Sequence, residues 1–226
     1  MHLPSITVDW EPARLALNRL SLGLRRFFWK FSSGQIGNRH MLCHRNEIES
    51  PRCLLCDHHE EKSSHVLKCG IIKTRLHFET LVKTKIDSVL EEQKTDPKFR
   101  EAIIKILCKV RKGENINPND YPKDRGLRDA IREQEENLKW YHFMMGRWSP
   151  KWRKVQEQYL TSIKSKRSSL RWSTAIIYKL MLVVWDIWQY RNQLVFADDG
   201  ELQVEERNRI NMLIYQEFIV GNEHLM

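Results

Sequence analysis

Asp96-Pro97-Lys98-Phe99-Arg100-Glu101-Ala102-Ile103-Ile104-Lys105-Ile106-Leu107-Cys108-Lys109-Val110-Arg111-Lys112-Gly113 carries both the start and the stop of a helix. The Asp96 carboxylate is placed to accept the orphan N–H groups of a first turn, and Pro97 has the φ that such a turn needs. Phe99, Ile103, Ile104, Leu107 and Val110 recur at helical spacing and form one apolar face. Gly113 suits the exit, where a left-handed residue releases the chain.

The same period continues outward in both directions. Upstream, Ile72, Leu76, Leu81, Val82, Ile86, Val89 and Leu90 predict a helix from Ile71 to near Thr95. Behind Glu11-Pro12, the residues Leu15, Leu17, Leu20, Leu24, Phe27, Phe28 and Phe31 predict a first helix reaching Ser32-Ser33-Gly34, with a short second one over 35–46. Downstream, helices are expected over 124–146, 150–165 (behind Ser149-Pro150), 170–196 and 202–219. Glu114 to Pro122, with Asn115, Asn117, Pro118, Asn119 and Asp120, is the most loop-like stretch and the best candidate boundary. No alternating run suggests a strand outside 50–70, where a short hairpin around a metal would be ordinary. The expected fold is therefore all-α. A helical domain over 1–113 contains an irregular zinc knuckle at about 50–70, 114–122 is a linker, and 123–226 is a basic, aromatic helical domain with an acidic tail.

The 226 residues are 41% hydrophobic with only nine Gly and seven Pro, the composition of a folded protein and not of a disordered or collagen-like one. Met1-His2-Leu3-Pro4-Ser5 has no basic patch leading into an apolar core, so no secretory signal is expected and the chain should be intracellular, nuclear or cytoplasmic. Leu180 to Trp185, between Lys179 and Asp186, falls far short of the ~20 residues that span a bilayer. Three of the five cysteines lie within seventeen residues and beside several histidines, which suits a metal site better than disulfides.

Those residues are Cys53-Leu54-Leu55-Cys56, then His65, then Cys69. The Cys-x2-Cys turn lets two thiolates approach one ion, with His65 and Cys69 supplied by the start of the following helix. Four soft ligands suit tetrahedral Zn²⁺ and close its coordination sphere, which assigns a structural and not a hydrolytic role. The alternative, three small buried cysteines and a core histidine, is disfavoured because Asp57-His58-His59-Glu60-Glu61-Lys62-Ser63-Ser64 offers nothing apolar to bury them. Cys43, His44, His58 and His59 are less regularly spaced and are expected to be exposed or supporting. Cys108, among Ile106, Leu107 and Val110, is expected in the core.

The array with Glu61-Lys62-Ser63-Ser64-His65-Val66-Leu67-Lys68-Cys69 resembles the zinc-binding region that follows the polymerase in reverse transcriptases of non-LTR retrotransposons and in reverse-transcriptase-like proteins. Phe28-Trp29-Lys30-Phe31 with Ser33-Gly34 resembles the family's helix and connection into the first cysteine. Trp140-Tyr141-His142-Phe143, Gly146-Arg147, Trp152, Gln156, Tyr159, Trp172, Trp185, Trp188 and Arg191-Asn192 resemble its C-terminal region. Together these touch roughly residues 25–70 and 135–195. The resemblance implies a tail segment of a retroelement-encoded protein whose zinc module helps to hold template nucleic acid.

No polymerase activity is implied. Phe196-Ala197-Asp198-Asp199 superficially matches a reverse transcriptase's metal-binding turn, but that turn needs flanking strands and a third carboxylate; here a helical pattern precedes it, and Asp198-Asp199-Gly200 reads as a helix exit. No Gly-rich phosphate loop occurs, and Glu91-Glu92, Glu135-Glu136 and Glu205-Glu206 read as solvated helix faces. The chain is expected not to be an enzyme.

Its partners are suggested by charge. The net charge is +9, and residues 138–180 hold 10 basic side chains against one acidic one, while 181–226 hold 3 against 8. Within 138–180, Arg147, Lys151, Arg153, Lys154, Lys164, Lys166, Arg167 and Arg171 alternate with Trp140, Tyr141, Phe143, Trp148, Trp152, Tyr159 and Trp172. This pattern suits a nucleic acid, RNA or DNA, whose phosphates meet the cations with little base readout. It equally suits a helix core of aromatics beneath a solvated cationic face. A different class of function, a helical protein-interaction module or inactive retroelement remnant, would pair 138–180 with the acidic tail and offer exposed aromatics to a protein partner.

Overall fold

In the computed structural model, which describes residues 8–196, every regular element is helical and no strand occurs among the described residues. The chain divides into two compact units, Met1–Ile187 and Trp188–Met226. No helix among the described residues is long and apolar enough to cross a membrane. The helix expected over 202–219 and the Asp198-Asp199-Gly200 exit lie outside the described residues.

Helix α7 (Pro97–Lys112) follows its sequence signals. Asp96 Oδ1 accepts from the N–H groups of Lys98 (2.8 Å) and Phe99 (3.4 Å), and Gly113 closes the helix at φ 73°. The helix buries Phe99, Ala102, Ile103, Ile106, Leu107 and Val110, leaving Ile104 and Cys108 half-exposed. Upstream, α5 (Ile72–Leu81), a π-helical turn (Val82–Asp87) and α6 (Ser88–Glu92) run as one continuous helix. Phe78, Leu81, Val82, Ile86, Val89 and Leu90 face inward. Ile72 and Leu76, expected on that face, are exposed instead, because the wide turn adds residues and rotates the first part of the helix.

Two long helices expected from periodicity are each broken. The first consists of α1 (Trp10–Arg19) and α2 (Leu22–Ser32): Leu20 is extended at ψ 147°, and the Ser21 hydroxyl caps α2 by accepting from Leu24 N–H at 3.3 Å. The second, expected over 124–146, consists of α8 (Arg125–Glu133), a π-helical segment (Gln134–Leu138) and α9 (Trp140–Met144). Lys139 between them has φ 67°, and the buried Gln134 amide holds the break. Its Nε2 donates to the carbonyls of Lys139 (3.1 Å) and Arg147 (3.2 Å), and its Oε1 accepts from Ser149 N–H (3.2 Å). Helices α3 (Arg39–His44), α4 (Ser63–Val66), α10 (Pro150–Ser162) and α11 (Ser169–Phe196) complete the fold. In the 50–70 region α4 stands where a hairpin was considered.

The core is aromatic. Trp148, Trp152 and Trp172 are among the largest fully buried side chains, and Phe99 stacks on Trp152 at 5.1 Å and on Trp172 at 5.5 Å between ring centroids. Phe143 lies parallel to Trp148 at 4.5 Å. Such pairs contribute roughly 0.5–1.5 kcal/mol each beyond burial. The core joins α7 to α10 and α11 across the 114–122 segment, which itself buries Ile116 and Tyr121 around a short 3₁₀ turn, Pro118–Asp120. Gln156 of α10 ties the same elements together: Asp96 N–H donates to its Oε1 (3.1 Å) and its Nε2 donates to Lys94 carbonyl (2.9 Å).

Candidate metal centre and basic grooves

The Cys-x2-Cys segment folds as a tight turn in which Asp57 N–H donates to Cys53 carbonyl and Cys53 N–H donates to His58 carbonyl, both at 2.9 Å. Asp57 takes φ 57°, a left-handed conformation that Asp tolerates better than most residues. This turn aims both thiols inward. His65 is supplied by the short helix α4, and Cys69 by the loop before α5, so that the role expected of a single following helix is divided between two elements.

The ligand atoms of Cys53, Cys56, His65 and Cys69 all lie within 4.8 Å of one another. Cys53 Sγ is 3.9 Å from Cys69 Sγ, and Cys56 Sγ is 3.3 Å from His65 Nε2. A tetrahedral cation with bonds of about 2.3 Å to sulfur and about 2.0 Å to nitrogen holds its ligands roughly 3.5–3.8 Å apart. The Cys53–Cys69 and Cys56–His65 separations are close to these values, and the group could hold a metal ion. Without a cation, the Cys53 thiol is pushed up to about 12 by its hydrogen bond to Cys69, with burial adding to the effect, whereas that bond lowers Cys69.

The surroundings fix the ligands. Glu61, buried, accepts from Cys53 Sγ (3.7 Å) through Oε1 and from Arg39 N–H (3.0 Å) through Oε2, while its own N–H donates to Pro51 carbonyl (2.8 Å). Asn38 caps α3 by accepting from Met41 N–H (2.9 Å) and donates to Ser63 Oγ (3.3 Å), binding α3 to α4. On the other side, Thr74 Oγ1 donates to Cys69 carbonyl (2.8 Å), and the buried guanidinium of Arg111 donates from Nη2 to that same carbonyl and to Thr74 Oγ1 (2.8 Å). Burial lowers the Arg111 pKa, opposed by the negative charge of Cys69 and Cys56. The sequence reading missed Arg111, which looks there like one of three cations closing α7. Only the packing of α7 under Cys69 reveals it.

The neighbouring candidates take supporting places. His58 is exposed and stacks on His65 (4.4 Å, 22°), His59 is exposed, and Cys43 donates to Glu49 carbonyl (3.6 Å) away from the cluster. Cys108 is half-exposed and not core, with its pKa raised by burial.

Of the cations expected to meet nucleic acid, Lys151, Arg153, Lys154 and Arg167 line an open groove of about 750 Å³ between α10 and the start of α11, with Ser165 and Ser168. Lys151 pairs with Glu133 (3.3 Å), Arg153 with Asp9 (2.8 Å) and Glu11 (3.5 Å), and Arg167 donates to Gln93 Oε1 (3.2 Å). Lys154, Lys164, Lys166 and Arg171 are exposed and have no ion-pair partner among the described residues. Arg147 stands apart: it donates to His142 Nδ1 (2.8 Å) and lines a second groove beside α1 and α2. The interleaved aromatics do not share this surface. Trp140, Phe143, Trp148, Trp152 and Trp172 are buried, since rings at helical spacing find one another in the core.

Fold and site together define an all-α protein with a compact Cys/His group capable of holding a metal ion. No protein-family model matches the chain, and no curated protein or solved structure matches it significantly.

Proposed function

We propose that this chain is a non-catalytic, nucleic-acid-binding accessory module, comparable to the zinc-binding tail of a retroelement reverse transcriptase, with Zn²⁺ held by Cys53, Cys56, His65 and Cys69. The donor set supports zinc: three thiolates and an imidazole gathered within 4.8 Å of one another suit its borderline-soft character, and four such ligands would leave no position for water or substrate. The ion would fix α3, α4 and the start of α5 on α7, a structural duty.

The observation that carries the nucleic-acid reading is the α10–α11 groove, lined by Lys151, Arg153, Lys154 and Arg167, of which Lys154 has no ion-pair partner among the described residues, together with the exposed and likewise unpaired Lys164, Lys166 and Arg171 at the junction of the two helices. Phosphates would displace counterions from these side chains, so affinity should fall steeply with salt. Trp140, Phe143, Trp148, Trp152 and Trp172 are buried and no aromatic lines the groove, which leaves it an electrostatic surface without stacking platforms. Replacing Lys154, Lys164, Lys166 and Arg171 with Gln tests the reading by salt titration of binding to a labelled oligonucleotide. The expected result is weaker binding, with a salt slope reduced by about 0.7–0.9 for each phosphate that is no longer neutralised; an unchanged slope refutes it.

A further inference from the structure

The stacking surface absent from the α10–α11 groove is present elsewhere. Trp29 is 73% and Trp10 60% exposed, in a chain whose other large aromatics are mostly buried. Across the break at Leu20–Ser21, α1 and α2 each bring an indole to one groove of about 880 Å³, which Arg14, Arg25 and Arg147 also line. Each indole has an arginine one turn away on its own helix, Arg14 after Trp10 and Arg25 before Trp29. Trp29 and Arg25 also line an adjoining groove of about 610 Å³ that adds Arg26 and Lys30.

We propose that this groove binds single-stranded nucleic acid, with bases stacking on Trp10 and Trp29 and phosphates meeting Arg14, Arg25, Arg26 and Lys30. Charge complementarity selects this occupant. From Trp10 to Ser33 there are five cations, Arg14, Arg19, Arg25, Arg26 and Lys30, against the single acid Glu11, which is already paired with Arg153. Exposed flat rings beside cations suit unpaired bases, whose faces are open only in single strands. The Arg153–Glu11 ion pair joins the two surfaces, because Arg153 lines the α10–α11 groove and Glu11 the indole groove. A strand leaving the first would enter the second.

This inference rests on the nucleic-acid reading above, and the experiment separates the two. Full-length protein is titrated by fluorescence anisotropy into labelled oligothymidylate, a duplex of equal length, and labelled polyglutamate. Trp10→Ala and Trp29→Ala are expected each to weaken oligothymidylate binding about tenfold, with duplex binding unchanged. Trp10→Phe and Trp29→Phe should retain most of the affinity, which a loss of fold would not allow. Wild-type affinity in the double alanine variant overturns the inference alone, as does binding of duplex but not single strand. Failure of the wild type to bind either nucleic acid overturns both readings, and tight polyglutamate binding that needs Trp10 and Trp29 assigns the groove to an acidic peptide and overturns this one.

Discussion

Arg111→Met should destabilise the protein by an amount that depends on the metal. Three thiolates, a neutral imidazole and a divalent cation sum to one negative charge, and Arg111 is the buried cation beside it, donating to Cys69 carbonyl and Thr74 Oγ1. Removing one member of a buried charge pair costs about 3–5 kcal/mol. Two hydrogen bonds to neutral oxygens account for roughly 1 kcal/mol each and disappear with or without metal. The remaining ~2 kcal/mol is electrostatic and exists only when the centre is charged, which corresponds to about a 30-fold loss of metal affinity. With metal chelated, the thiolates can take up protons and much of that negative charge is lost, so the substitution should be milder. The assay is thermal unfolding of wild type and Arg111→Met with and without chelator, alongside competition for zinc against a chromophoric chelator. Equal destabilisation in both states, with unchanged zinc affinity, would refute the charge argument.

Two further outcomes follow from the packing of α9 and its neighbours. Gly146 has φ 75°, and a Cβ there would stand 2.6 Å from Ile177 Cγ2, so Gly146→Ala should cost about 2–3 kcal/mol in urea unfolding, where a neutral result would contradict the close approach. His142 has its pKa lowered by burial first and by Arg147 second. The unfolded chain therefore binds the proton more readily, so stability is full above the unfolded value of about 6.5 and falls as pH drops below it. His142→Gln should flatten that fall relative to wild type as the pH drops below about 6.5; parallel curves would show that the imidazole does not contribute.

How much of this was legible in the chain depended on the range of the signal. Helix α7 is announced by Asp96, Pro97 and Gly113 within one contiguous stretch, and the Cys/His group by donors inside seventeen residues. The break at Lys139 was not legible, because Gln134 holds it by reaching carbonyls at 139 and 147 and an N–H at 149, and a buried Gln looks in sequence like any polar helix residue. The break at Leu20 had a local sign in Ser21, masked by apolar residues continuing at helical spacing on both sides. Interleaved cations and aromatics in 138–180 were ambiguous, since periodicity cannot say which face a ring takes. The rings went to the core around Phe99, which lies 53 residues before Trp152 and 73 before Trp172 in sequence. Of the exposed indoles, Trp10 precedes the expected helix start at Glu11-Pro12 and Trp29 enters only through the resemblance at Phe28–Phe31, and no local signal marks either ring as exposed.

Cys53, Cys56, His65 and Cys69 could hold a metal ion, and we propose that they form a closed zinc centre that organises the fold around it. Elemental analysis of the purified protein, with Cys53→Ser and Cys69→Ser beside it, tests it most directly. One zinc per chain, resistant to dialysis and absent from both variants together with cooperative unfolding of the 50–70 region, is the predicted result. A well-folded wild type containing no metal, or variants that keep their zinc, would contradict it.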